Sequence, residues 1–260
     1  MNFNIFIVII FLLTSIAVVV VSDKSKKEKI EEMDNSIKNK LNNTLVSSKE
    51  IKTAYKYESG KVALNTNNKE GTSLEYKVFK TMYKYSGKVL SNLYIDKINN
   101  TYTEIDVVFI HNTGIYVIEC KDRSCFKITG NEQDSEWDCI YSRTNIKKMY
   151  NPLKQNLSHI LALKNVLIDK CPHDCYTSII VINCENIEAK YEINSNSQYQ
   201  KIVMPNKLKE HIDLLIKNRP IIFSDEQIID IYKYLHENYS NVSLDVKKEH
   251  KAYVQSISLK

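Results

Sequence analysis

Thr103-Glu-Ile-Asp106-Val-Val-Phe-Ile-His111-Asn-Thr-Gly114-Ile-Tyr-Val-Ile-Glu119-Cys-Lys121 reads as two β-rich runs on either side of a tight turn. The runs are β-branched and aromatic, and His111-Asn112-Thr113-Gly114 supplies turn residues between them. A two-residue loop, Asn112-Thr113, and a four-residue loop, His111 to Gly114, give one and the same register, whereas a three-residue loop would break it. In the shared register Asp106 lies across from Glu119, with Cβ atoms roughly 5 Å apart. Side chains two apart on a strand share a face, so Lys121 joins Glu119. Two carboxylates and an ammonium converge on one patch.

Around this hairpin the periodicities change. Leu74, Val78, Phe79, Met82 and Tyr85 fall at helical spacing after Thr72-Ser73-Leu74-Glu75, and Ser86-Gly87 ends that helix. Val89 to Ile95 is an apolar strand, and Phe126 to Thr129 and Trp137 to Tyr141 are shorter ones. Asn151-Pro152 caps and opens a helix through about Lys170. Thr177 to Ile182 and Lys201 to Met204 follow as strands, and Asn206 to Lys217 and Asp225 to Tyr239 as helices. This order predicts an α/β domain built on a mixed central sheet flanked by helices. The expected organisation is a membrane anchor over 1–22, a polar stalk or tether over 23–68, the catalytic-size domain over 69–204, and C-terminal helices and tail over 205–260.

The anchor rests on Ile5 to Val21, a run without charge broken only by Thr14 and Ser15. Met1 to Asn4 lacks the basic residues of a secretory leader, and Lys24, Lys26, Lys27 and Lys29 follow the run, which places the N-terminus outside and the domain in the cytoplasm. Composition is permissive: 36 Lys and Arg against 31 Asp and Glu leave +5, too mild to announce a nucleic-acid binder. Five Gly and four Pro exclude collagen-like and low-complexity classes. The six cysteines are read as reduced thiols, with a disulfide framework in an exported protein as the alternative. Cys171, His173, Cys175 and Cys184 could supply zinc ligands, although their spacing matches no strong finger pattern and a plain loop accounts for it as well.

Opposed carboxylates repel unless something positive lies between them, so removing either one should relieve strain. An oxygen-only donor set suits Mg²⁺ or Mn²⁺, and such a cation beside Lys121 suits phosphodiester hydrolysis. An ordinary salt-bridged hairpin face would have the same spacing.

Gly71-Thr-Ser-Leu-Glu75, the hairpin itself, Ile128-Thr-Gly130, Trp137 and Asn151-Pro-Leu-Lys-Gln155-Asn-Leu-Ser-His159 together resemble the nuclease-related domain (NERD) family. That family is similar to the PD-(D/E)xK restriction-endonuclease-like superfamily. The resemblance implies that fold, nuclease activity with Asp106, Glu119 and Lys121 as its centre, and nucleic acid as partner, DNA ahead of RNA. It adds Glu75 as a further metal ligand, for which a capping box with Thr72 is an equal alternative. It also adds Gln155, near a helix start suited to phosphate. Arg143, Lys147 and Lys148, interleaved with Tyr141 and Tyr150, are expected nucleic-acid contacts, though a charged loop would look alike. After Lys121 the family pattern has a small polar residue and a glycine; here Asp122-Arg123-Ser124-Cys125 stand instead, so the strand exit is expected to differ.

Overall fold

The computed structural model describes residues 47–59, 72–96, 101–195, 198–240, 246–248 and 252. The elements are α1 (Ser48–Ser59), α2 (Thr72–Met82), β1 (Lys88–Asp96), β2 (Tyr102–His111), β3 (Gly114–Asn131), β4 (Glu136–Ser142) and β5 (Asn145–Tyr150), then α3 (Pro152–Val166), β6 (Tyr176–Lys190), β7 (Asn194–Ser195) and β8 (Gln198–Val203). A 3₁₀ turn, Pro205–Lys207, leads to α4 (Leu208–Asn218) and α5 (Asp225–Tyr239). The membrane anchor expected over 1–22 lies outside the described residues. Among the described residues no helix is long and apolar enough to cross a membrane.

The sheet runs β1-β2-β3-β6-β8-β7, with β4 and β5 extending from the far half of β3. β1, β2 and β3 pair antiparallel, while β3, β6 and β8 pair parallel, so the sheet is mixed as expected. The parallel step from β3 to β6 needs a crossover, and β4, β5 and α3 provide it. β3 is continuous from Gly114 to Asn131, where two separate strands were expected, because β6 pairs along nearly its whole length. Its break is instead a shift of register between Asp122 and Cys125, with Ser124 in the left-handed region at φ 46°. The bulge lies within Asp122-Arg123-Ser124-Cys125, the stretch after Lys121 where the sequence predicts an unusual strand exit.

The core forms where α3 and α5 cover one face: Ile160, Leu163 and Leu167 meet Val108, Ile110, Ile115 and Val117, with Ile228, Ile231 and Leu235 alongside. A second apolar cluster joins Trp137, Met149 and Leu153 to Ile180 and Ile182. The span assigned to a polar tether includes α1, which turns Ile51, Tyr55 and Glu58 inward along one helical face. Its hydrophobic content is too low to signal burial by itself. Asn145–Tyr150, for which the sequence reading expects no strand, is β5, antiparallel to β4.

Candidate functional site

The hairpin turn is the two-residue one. Val107 pairs with Ile118, Phe109 with Tyr116 and His111 with Gly114, which is the expected register. The ladder stops at Val107–Ile118, one rung short of Asp106 and Glu119. In the missing rung the side chain takes over: Asp106 Oδ2 accepts the Cys120 backbone N–H at 2.7 Å. Asp106 is also held from behind. Ser91 Oγ donates to the Asp106 carbonyl at 2.9 Å, and Asn92, in the left-handed region at φ 56°, donates its side-chain amide to Ser91 Oγ. Asparagine tolerates that conformation better than most residues.

Glu119 is buried and faces α3. Its Oε1 accepts Lys121 Nζ at 2.6 Å, and its Oε2 lies 3.0 Å from His159 Nε2. Lys121 Nζ also donates to Gln155 Oε1 at 2.7 Å. His159 Nδ1 meets Thr103 Oγ1 at 2.8 Å, which orients the ring from its far side. α3 can present Gln155 and His159 together because they are one helical turn apart. The start of α3 is fixed by Asn151, whose Oδ1 accepts from Leu153 and Lys154 N–H while its Nδ2 donates to the carbonyls of Asn131, Glu132 and Asp134. Two helix-start donors that a phosphate would use are therefore engaged by Asn151, and Gln155 turns to Lys121.

Glu75 arrives from α2, and Tyr55 of α1 donates its hydroxyl to Glu75 Oε2 at 3.4 Å. The electrostatics tie these groups together. Desolvation, then the charges of Glu119 and Glu75, push the Asp106 carboxyl well above the usual carboxylate range, against Lys121 and the Cys120 N–H. Burial alone would also raise Glu119, but Lys121 and His159 overcome it and hold that carboxyl at about 2. Burial and the same three carboxylates raise the Cys120 thiol. The site thus has one locked, ionised carboxylate beside one biased towards its neutral form.

The donor chemistry fits a hard divalent cation: Asp106, Glu119 and Glu75 offer only oxygens, and their mutual repulsion in Asp106 is the surplus charge such an ion offsets. Each engaged oxygen keeps a second lone pair. As the side chains stand, no three His, Cys, Asp or Glu residues among the described ones are arranged to hold a metal. This applies to the thiols too. Cys184 lies in the cluster with Cys125 and Cys139, whereas Cys175 lies in the other core, with Cys171 packed against it. Arg143, Lys147 and Lys148 belong to the β4–β5 hairpin, where Lys148 pairs with Asp138 at 2.6 Å and Lys147 lies over the Tyr141 ring.

Sequence reasoning passed over His159, Thr103 and Tyr55 as site residues. His159 had a usable signal, since it follows Gln155 by one helical turn; the other two are reached only through tertiary contacts. Residues 70–183 match the family model of the nuclease-related domain, NERD. No curated protein and no solved structure matches the chain.

Proposed function

We propose that this chain, a nuclease-related domain protein through residues 70–183, is a membrane-anchored, divalent-metal-dependent nuclease that hydrolyses phosphodiester bonds, in DNA ahead of RNA. The observation that carries the reading is the meeting of Asp106, Glu119 and Lys121 on the hairpin with Gln155 of α3, with the Asp106 carboxyl pushed up by burial and then by Glu119 and Glu75. Asp106, Glu119 and Glu75 would hold Mg²⁺ or Mn²⁺, which supplies a polarised phosphoryl oxygen and a bound water of lowered pKa. Glu119 stays ionised because Lys121 and His159 compensate its charge. Lys121, steadied by Gln155 Oε1, offers an ammonium to the charge that develops on phosphorus-bound oxygen. Arg143, Lys147 and Lys148 would meet the polynucleotide backbone. The lysines after Val21 support a cytoplasmic domain, and an impermeant thiol reagent should then label the half-exposed Cys171 only after cell lysis.

A specific observation favours a second reading, a non-catalytic nucleic-acid-binding domain on the same fold: each Glu119 oxygen already has a partner, Lys121 on one and His159 on the other. The test is to incubate the full chain in detergent with labelled single- and double-stranded DNA and RNA, with and without Mg²⁺ or Mn²⁺. Cleavage that a chelator stops supports the enzyme. Retention of substrate without cleavage moves the assignment to the binder. A fragment starting after Ser59 is unsuitable, because it lacks Tyr55, the partner of Glu75.

A further inference from the structure

The row of side chains that carries the site continues into sulfur. Glu119 and Lys121 of β3 pair with Ile180 and Ile182 of β6, and after the register shift the next pair is Cys125 with Cys184. Ile180, Ile182 and Cys184 alternate along β6 and so share a face. All three lie in one apolar cluster with Cys125, Cys139 and Trp137. Arg123 and Ser124 are bulged outward between Lys121 and Cys125, and Asn183 Nδ2 pins the bulge by donating to Asp122 Oδ1 at 2.8 Å. The bulge brings Cys125 back into line, and its Sγ stands 3.4 Å from Cys184 Sγ. Adjacent strands hold paired Cα atoms within the roughly 4.4–6.8 Å that a disulfide spans, and the two sulfurs already face each other, so the bond needs chiefly a turn of two side chains.

We propose that Cys125 and Cys184 are a disulfide-forming modification site, oxidised by a small-molecule disulfide of the glutathione class, that fastens β3 to β6 in the row directly after Lys121. Cys184 keeps the larger exposure of the two, 8% against 2%. Its thiolate attacks one sulfur of the small disulfide, forming a mixed disulfide and releasing one small thiolate. Cys125 then gives up its proton and attacks the Cys184 sulfur, which releases the second. Two protein thiols are oxidised, one small disulfide is reduced to two thiols, and the two protons end on those thiols. Burial and the S–H donated to Cys184 push the Cys125 thiol up to about 12, so the second step is slow and the bond, once made, is sheltered from reductants. The inference is independent of nuclease activity.

The experiment uses the reduced full chain, incubated with oxidised glutathione, alkylated, digested and mapped by mass spectrometry. The expected result is a single cross-link joining the Cys125 and Cys184 peptides, two hydrogen masses lighter than the reduced pair and reversed by dithiothreitol. The melting temperature should rise by roughly 5–10 °C, since the bond closes a long loop. Cys184→Ser should abolish the cross-link, and Cys139→Ser, in the same cluster, should keep it. A lasting glutathione adduct with no second bond, a Cys125–Cys139 link, or a Cys171–Cys175 link with Cys125 and Cys184 both alkylated would overturn the proposal.

Discussion

Glu119 and Glu58 are both glutamates shut away from water, and the fold treats them in opposite ways. Glu119 has Lys121 on one oxygen and His159 on the other, and its carboxyl is held at about 2. Glu58, on α1, accepts the Tyr232 hydroxyl at 2.6 Å through Oε1, while its Oε2 has no hydrogen-bond partner and stands 3.8 Å from His236 Nε2. Burial raises the Glu58 carboxyl to about 7, against the Tyr232 bond and Lys88. Burial is common to both; partnership differs. A carboxylate surrounded by donors is built to stay charged, and that is the state in which it can serve a cation or a phosphoryl group.

The strongest way to break this contrast is through activity. Asp106→Asn and Lys121→Ala should each lower cleavage by at least about 100-fold, because an interaction realised in the transition state is lost. Lys121→Ala should leave the Mg²⁺ dissociation constant within a few fold in a calorimetric titration. Glu58→Gln should leave cleavage within about twofold. A Glu58 variant as inactive as the Asp106 one would erase the distinction between the two regions.

Stability separates the members of the site itself. The sequence suggests that removing either opposed carboxylate relieves repulsion, but the partners found for Glu119 reverse that expectation on its side. Glu119→Gln leaves Lys121 and His159 facing a neutral amide in a buried setting and should cost about 3–5 kcal/mol. Asp106→Asn removes the carboxyl already biased towards neutrality and should fall within about 1 kcal/mol of the wild type. Urea unfolding of the two variants decides this, and equal losses would show that partnership is not what sets Glu119 apart.

Glu58 provides a pH signature. Its folded pKa, about 7, lies above the ordinary 4.5. Between those values the folded chain keeps a proton that the unfolded chain has released, so stability falls as pH rises through the window. The wild type should lose on the order of 1–3 kcal/mol from pH 5 to pH 8 relative to Glu58→Gln. Parallel urea midpoints for the two proteins across that range would contradict the assignment. The fold gives this effect a location, the contact between α1 and α5.

The hairpin was legible because its information is local: a two-residue turn and strict alternation place Asp106, Glu119 and Lys121 without reference to the rest of the chain. Asn151-Pro152 was legible for the same reason, since cap and first turn are neighbours in sequence. α1 was not, because its inward face is Ile51, Tyr55 and Glu58, and nothing in the sequence tells a buried Glu58 from a solvated one. β5 was masked by Lys147 and Lys148, which lie exposed on a hairpin rather than in a loop. The partner of Gln155 was hidden as well. Its helix-start position suggested phosphate, whereas the lysine it meets is 34 residues away in sequence.

The finest test of the contrast lies one contact beyond Glu119. Nε2 of His159 is turned to the ionised Glu119 carboxylate, where a ring N–H is best satisfied as a donor, and Nδ1 shares a hydrogen bond with the Thr103 hydroxyl. Thr103→Val keeps the shape and removes that hydroxyl, so Nδ1 loses its buried partner and the ring loses one of the two contacts that orient it. Stability should drop by about 1 kcal/mol, and cleavage by several fold rather than the losses expected for Asp106 or Lys121. Nitrogen NMR of labelled histidine reports the bonding of each ring nitrogen. An unchanged His159 spectrum in Thr103→Val, with cleavage and stability also unchanged, would mean that Glu119 alone orients the ring and that the chain of partners ends at His159.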